Sequence, residues 1–189
     1  MLWKNKTFPS NLFEAKKILD IGCGRNKIEG SIGLDHADLP GVDIICNLNE
    51  ALPIEDESFD IVIATQVLEH VENLITLVYE VHRVLKPGGL FVVHCPYFRS
   101  SWAWIDPTHI RAFTVNSLDY FCESTWIYSQ NRFKDYGFTS IDIYLDRQEK
   151  NTFCRNILSN LCLKYSFKYE NSVLSFLHPF QEISFILRK

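Results

Sequence analysis

The sequence predicts a three-layer α/β/α fold on a mostly parallel sheet, and three features predict it. Short apolar runs, ILDI at 18–21, IGLD at 32–35, VDII at 42–45, FDIVIAT at 59–65 and LFVV at 90–93, show little polar alternation. Strands covered by helices on both faces read this way. A glycine pair, Gly22 and Gly24, directly follows the first run, and open α/β sheets bind ligands at the carboxyl ends of their strands. Between the fourth and fifth runs, residues 69–85 carry Leu74, Leu77, Val78, Val81 and Leu85 at helical spacing.

Residues 1–15, with Trp3, Phe8, Leu12 and Phe13, are expected to pack over the sheet. The first strand, 16–21, brings Asp20 to the sheet edge beside Gly22, Cys23 and Gly24. Glycines there allow a tight turn and close approach of a ligand. A dinucleotide loop needs a third glycine after two more residues, but Arg25, Asn26 and Lys27 follow Gly24. This argues against a nicotinamide-dependent oxidoreductase. A carboxylate just before the loop suits a ligand with an ammonium group, whose own carboxylate backbone N–H groups can take. S-adenosylmethionine carries both groups. Only residues 25–32 precede the second strand, too few for the usual crossover helix. The first crossover is therefore expected to be shortened, with Asn26 or Lys27 as substitute donors.

The second strand ends at Asp35, which fits either ribose binding or a turn before HADLPG. The third, 42–48, ends at Asn47, itself a common turn residue. The fourth, 59–66, puts Thr65 and Gln66 at its carboxyl end. The helix over 69–85 is stopped by KPGG at 86–89. Glu69 and His70 at its start either line the site or favour the positive end of the helix dipole. The fifth strand, 90–96, leads into PYFRSSWAWIDPTHIRAFT, where four aromatic rings over 97–104 lie beside Asp106, His109 and Arg111. His109 is a candidate proton acceptor; alternatively, Asp106 and His109 fix the loop. Asn116 is a plausible cap for a short helix over 116–123, and Gly137 a helix terminator. Alternating patterns at 138–145 and 182–189 read as sheet-edge strands. Between them, about 147–181, an inserted segment places Ile157, Leu158, Leu161, Cys162 and Tyr165 at helical spacing.

In the order ILDIGCG (18–24), IGLDHAD (32–38), LPIEDESFDIVIATQVLEHV (52–71) and EVHRVLKPGGLFVV (80–93), the chain resembles the class I S-adenosylmethionine-dependent methyltransferases, in their type 11 group. The resemblance implies a Rossmann-like sheet whose last strand runs antiparallel, and S-adenosyl-L-methionine as cofactor. It gives the methionine part of the cofactor to Asp20, Gly22, Cys23 and Gly24. Asp35 with His36 takes the ribose, Asn47 and Leu48 the adenine, and Thr65 and Gln66 the sulfonium side. The acceptor falls to Tyr97, Trp102, Trp104, Asp106 and Arg111, with His109 as the catalytic candidate. ATQV stands where nucleic-acid amino methyltransferases carry an Asn/Asp-Pro-Pro-aromatic segment, so nucleobase N-methylation is not expected.

A chain of 189 residues, 47% hydrophobic and 22% charged, fits one domain with one core. Its net charge of −4 lacks the basic footprint of nucleic-acid binders. No run approaches the roughly 20 apolar residues of a spanning helix, and the amino-terminal residues show no secretion signal, so membrane insertion is not expected. The six cysteines, at 23, 46, 95, 122, 154 and 162, form no CxxC pair. Buried free thiols in the cytoplasm are expected. His94, Cys95, Asp106 and His109 are the scattered set that a metal could use, and no metal is expected. The reading is a methyltransferase for a small-molecule acceptor, monomeric or homodimeric. The alternative is a catalytically inactive cofactor-binding or partner-binding module.

Overall fold

In the computed structural model, the described residues are 16–130, 136–145, 153–177 and 180–189. The expected packing of 1–15, most of the segment before Gly137, and the first residues of the insertion lie outside them. The apolar runs become β1 (Ile18–Ile21), β2 (Ile32–Asp35), β3 (Ile44–Ile45), β4 (Phe59–Thr65) and β5 (Leu85–Pro96), and the alternating runs become β6 (Ser140–Leu145) and β7 (Glu182–Arg188). They form one sheet ordered β3-β2-β1-β4-β5-β7-β6. The first five strands pair in parallel, and β7 runs antiparallel to both β5 and β6. This is the mostly parallel, Rossmann-like sheet that the resemblance implies, with its last strand reversed.

Side chains alternate between the faces of each strand. Leu19, Ile21, Val62, Ala64, Phe91 and Val93 join the larger core cluster, whereas Ile18, Ile61, Ile63, Leu90 and Val92 join a smaller one on the opposite face. Helix α1 (Leu74–Val84) buries Leu77, Val78, Val81 and Val84 in the larger cluster. The other helices are α2 (Trp102–Ile105), α3 (Trp126–Ser129), α4 (Phe153–Lys164), α5 (Ser166–Glu170) and α6 (Leu174–Leu177). The inserted segment joins the larger core through Cys162 of α4 and Tyr169 of α5. Ile157, Leu161 and Tyr165 are exposed. On the smaller cluster the described cover is Ile28 and Tyr144. None of the described helices crosses from β1 to β2, as the short spacing predicts.

Several bounds differ from expectation for local reasons. Helix α1 starts at Leu74, not 69, because Asn73 caps it, its side chain accepting from Thr76 N at 3.3 Å. KPGG does not separate helix from strand: β5 already pairs through Leu85 with Phe59, and the chain bulges before Leu90 pairs with Ile61. Gly88, at φ 76°, provides the left-handed turn within that bulge. The third strand shrinks to two residues and leaves Asn47 in a turn. The helix over 116–123 is only a 3-10 turn at Asp119–Phe121, with Asn116 instead bonded to Asp119 Oδ2 and to Ser166 Oγ at 2.7 Å each.

Candidate functional site

The carboxyl ends of β1, β2 and β4 lie side by side, with Asp20 level with Gly33 and Ile63. Asp20 is buried, and its Oδ2 accepts from Ile28 N at 2.9 Å. The other oxygen makes no hydrogen bond among the described residues. Burial raises the Asp20 pKa, and the Ile28 N–H and Lys27 oppose that rise. A positive group at the free oxygen would relieve the desolvation that drives the shift.

Gly22 and Gly24 both adopt left-handed backbone, at φ 65° and 52°. The loop N–H groups point inward: Gly22 N and Cys23 N donate to Leu34 O at 2.7 and 3.2 Å, and Gly24 N donates to Asp35 Oδ2 at 2.9 Å. The donors expected to meet a ligand carboxylate are thus already engaged with β2. A Cβ at Gly24 would meet nothing within 4 Å, so that side of the loop opens onto space. Cys23 is buried near Asp20 and Asp35, and burial pushes its thiol up to about 11. Lys27, expected as a substitute donor, has its Nζ paired with Asp43 Oδ2 at 2.9 Å.

Asp35 is also buried. Besides Gly24 N it accepts from Ala37 N at 3.0 Å on Oδ1, and His36 Nδ1 lies 3.1 Å from the same oxygen. Two carboxylate oxygens offer about four acceptor sites, so capacity remains for hydroxyl donors. His36 is exposed beside it. Asn47 is exposed, its amide taken by Glu50 and Asn49. Leu48 packs against the core edge. Thr65 sits level with His94, and Gln66 follows at φ 55°, a left-handed conformation uncommon outside glycine that clusters at functional sites. Gln66 Nε2 lies 3.4 Å from Glu182 Oε1.

Beyond β4 and β5 two segments meet. Ile110 N donates to Glu69 O at 2.9 Å. Arg111 donates to Leu68 O at 2.8 Å, to Val71 O, and to Glu72 O at 3.1 Å. Arg111, expected to bind the acceptor, therefore clamps the 68–72 turn, because three backbone carbonyls converge on its guanidinium. Tyr97, expected in the acceptor pocket, is fully buried, its hydroxyl 3.0 Å from Glu170 Oε1. Trp102 and Trp104 are exposed, and Trp104 Nε1 donates to Phe98 O at 2.9 Å. Asp106 Oδ1 accepts from Thr108 N at 2.8 Å and Thr108 Oγ1 at 2.7 Å. Those bonds and the neighbouring His109 and His70 lower its pKa.

The docking of these segments gathers Glu69, His70 and His109. The two imidazole rings stand edge to face with centroids 4.6 Å apart. Glu69 is 1% exposed, and among the described residues neither carboxylate oxygen has a hydrogen-bond partner. Burial raises its pKa. The scattered set expected as the metal option is not assembled: His94 bonds Ser184 Oγ at 2.7 Å and Glu182 Oε2 at 2.9 Å, and Cys95 is buried against Ile183 O. The grouping of Glu69 with His109 escapes the sequence because forty residues separate them. The adjacent Glu69–His70 pair after a central strand is the one sequence signal.

A family model described as a methyltransferase domain matches residues 29–93. The mitochondrial ubiquinone biosynthesis O-methyltransferase of Rattus norvegicus is 32% identical over 110 residues, covering 44% of this chain and 32% of that protein. A sterol 4-C-methyltransferase of Caenorhabditis elegans is 30% identical over 147 residues, covering 64% of this chain and 42% of that protein. The chain thus spans well under half the length of these two relatives. The crystal structure of an Archaeoglobus fulgidus SAM-dependent methyltransferase superposes with a TM-score of 0.62 at 21% identity, covering 93% of this chain and 87% of that one. A possible histamine N-methyltransferase of Thermotoga maritima gives 0.60 at 17%, covering 97% and 84%. At those identities the structural likeness shows the fold.

Proposed function

We propose that this chain, which belongs to the class I S-adenosylmethionine-dependent methyltransferases, transfers a methyl group to a small-molecule acceptor. The observation that carries the reading is Asp20, a buried carboxylate with one oxygen free, next to a left-handed glycine loop that opens onto space at Gly24. That arrangement fits the ammonium end of the cofactor. S-adenosylmethionine supplies an electrophilic methyl group, and in-line transfer asks the protein chiefly for orientation.

In this reading Asp20 accepts from the cofactor ammonium. Asp35 takes ribose hydroxyls with its remaining lone pairs while holding the Gly24 N–H. Asn47 and Leu48 border the adenine, and Thr65 with Gln66 borders the methyl side. A hydroxyl or amine acceptor also loses a proton. His109 Nδ1 faces Ala103 O at 3.2 Å, so its Nε2 lone pair is available to take that proton. Trp102, Trp104 and Asp106 border the acceptor. The relatives act, by their names, in ubiquinone biosynthesis and on a sterol, which supports an apolar or aromatic small molecule. The five cysteines that are free among the described residues support a reducing compartment, the cytoplasm. Among the described residues no helix is long and apolar enough to cross a membrane.

The inactive-module reading draws on one observation, the engagement of all three loop N–H groups with β2 and Asp35. Calorimetric titration with S-adenosylhomocysteine, then transfer of radiolabelled methyl to small-molecule fractions, separates the two. Binding and transfer are expected. Failure to bind at millimolar concentration overturns the assignment, and binding without transfer to any fraction favours the module.

A further inference from the structure

We propose that Glu69, His70 and His109 form a binding site for a first-row transition-metal dication, of the two-imidazole, one-carboxylate kind that accepts zinc. Each residue offers one ligating atom, and these atoms lie within 4.8 Å of one another. Around zinc, with bonds of about 2.0–2.2 Å, ligand atoms stand roughly 3.4 Å apart. Closing the remaining gap takes side-chain rotation, and the Ile110 N–H and the Arg111 guanidinium, donating to carbonyls of the 68–72 turn, already hold the two segments together.

Glu69 points to a missing cation independently of that spacing. The residue is 1% exposed, and among the described residues both carboxylate oxygens lack any hydrogen-bond partner. An unpaired buried carboxylate is destabilising, and coordination to a dication offsets that.

The outer contacts set the imidazoles in the form a metal needs. Thr108 Oγ1 donates to Asp106 Oδ1 at 2.7 Å, so at 2.9 Å it accepts the hydrogen on His70 Nδ1. His109 Nδ1 donates to Ala103 O at 3.2 Å. Both rings therefore keep Nε2 lone pairs, with their other nitrogens anchored as metal-binding histidines usually are. Glu69 forms a buried floor, His109 a half-buried wall and His70 an exposed rim, which leaves a path for an ion. The site goes beyond the methyltransferase reading and does not depend on it. A bound ion occupies the lone pair that would make His109 a proton acceptor, so the two roles exclude each other.

The test titrates chelator-treated full-length chain with Co²⁺, read by visible absorption, and then displaces it with Zn²⁺. One Co²⁺ per chain is expected, with d–d bands of a low-coordinate site that Zn²⁺ abolishes. Glu69→Gln and His109→Asn are each expected to weaken Co²⁺ binding more than 100-fold. Thr108→Val, which removes no ligand but takes away the hydroxyl that supports His70 and bonds Asp106 Oδ1, weakens it about 10–100-fold. Circular dichroism checks each variant, and the wild-type stoichiometry with Thr108→Val decides the matter even where a ligand variant fails to fold. Absence of saturable Co²⁺ binding by folded wild-type chain overturns the proposal, as does unchanged affinity in the folded variants. S-adenosylhomocysteine titration of the same preparation reports on the methyltransferase reading separately.

Discussion

Burial leaves Asp20 with one oxygen on the Ile28 N–H and one unengaged, so a ligand ammonium there replaces poor solvation with a charge-assisted bond. Such bonds contribute about 1.5–3 kcal/mol. Asp20→Asn keeps the shape and the bond to Ile28 but loses the charge. It is expected to weaken S-adenosylhomocysteine binding about tenfold to a hundredfold, and an unchanged calorimetric Kd would remove Asp20 from the cofactor site. The two loop glycines make a sharper comparison. A Cβ at Gly22 would stand 2.4 Å from Val67 Cγ2, whereas one at Gly24 meets nothing within 4 Å. Both positions carry a left-handed cost of about 1–2 kcal/mol. Gly22→Ala adds a collision with a buried side chain and is expected to melt clearly lower than Gly24→Ala. Gly24→Ala keeps most of its stability but loses cofactor affinity, because its new methyl group occupies the open side of the loop. Equal melting temperatures for the two variants would contradict the packing argument.

At the scale of elements, one side chain holds helix α1 to the loop that enters β4. Arg83 donates to both Glu80 oxygens, to Leu52 O at 3.1 Å, to Ile54 O at 2.7 Å and to Asp56 Oδ1 at 2.7 Å. Glu80 Oε2 in turn accepts from Leu52 N at 2.8 Å. Arg83→Ala leaves a largely buried carboxylate and two carbonyls without these donors, a loss of about 1–3 kcal/mol. Arg83→Lys keeps the charge without the planar fork and should fall between wild type and Arg83→Ala in urea midpoint. Equal midpoints for Lys and Arg would show that charge alone suffices. Strands of this sheet are legible because continuous burial removes polar alternation, as in Ile61–Ala64. The start of α1 is not legible, since Glu69 to Glu72 carry helical spacing yet are drawn into a turn by Arg111, forty residues away. KPGG misleads for a related reason: it reads as a stop, but β4 recruits Leu85 into the sheet before the glycines bulge out.

Across the whole molecule, what the sequence left hidden is long-range pairing. Asp20 and Asp35 could be placed by strand ends alone, because a strand's carboxyl end is local information. Tyr97 could not, for it looks like a pocket wall until Glu170, seventy-three residues on, captures its hydroxyl inside the core. Glu170 ties the inserted helices to the sheet: its Oε1 accepts from Tyr97 and, at 2.8 Å, from Val115 N, and its own carbonyl accepts from Arg99 at 2.9 Å. Burial raises the Glu170 pKa despite the opposing bonds from Val115 and Tyr97 and the charge of Arg99. Around it, burial pushes the Cys162 thiol up to about 12 and the Tyr97 hydroxyl higher still, so neither ionises in the neutral range. The folded chain therefore holds the Glu170 proton more tightly than the unfolded chain does. Its contribution to stability is complete below the unfolded value near 4.5 and is lost as pH rises through the raised folded value. Glu170→Gln retains an acceptor oxygen for both donors and carries no charge. Its unfolding free energy is expected to decline less than that of wild type between pH 4.5 and neutrality, the difference between the two curves isolating Glu170 from Asp20, Glu69 and Asp119. Parallel curves, measured by urea unfolding at each pH, would show that this carboxyl group ionises in the folded chain as readily as in the unfolded one.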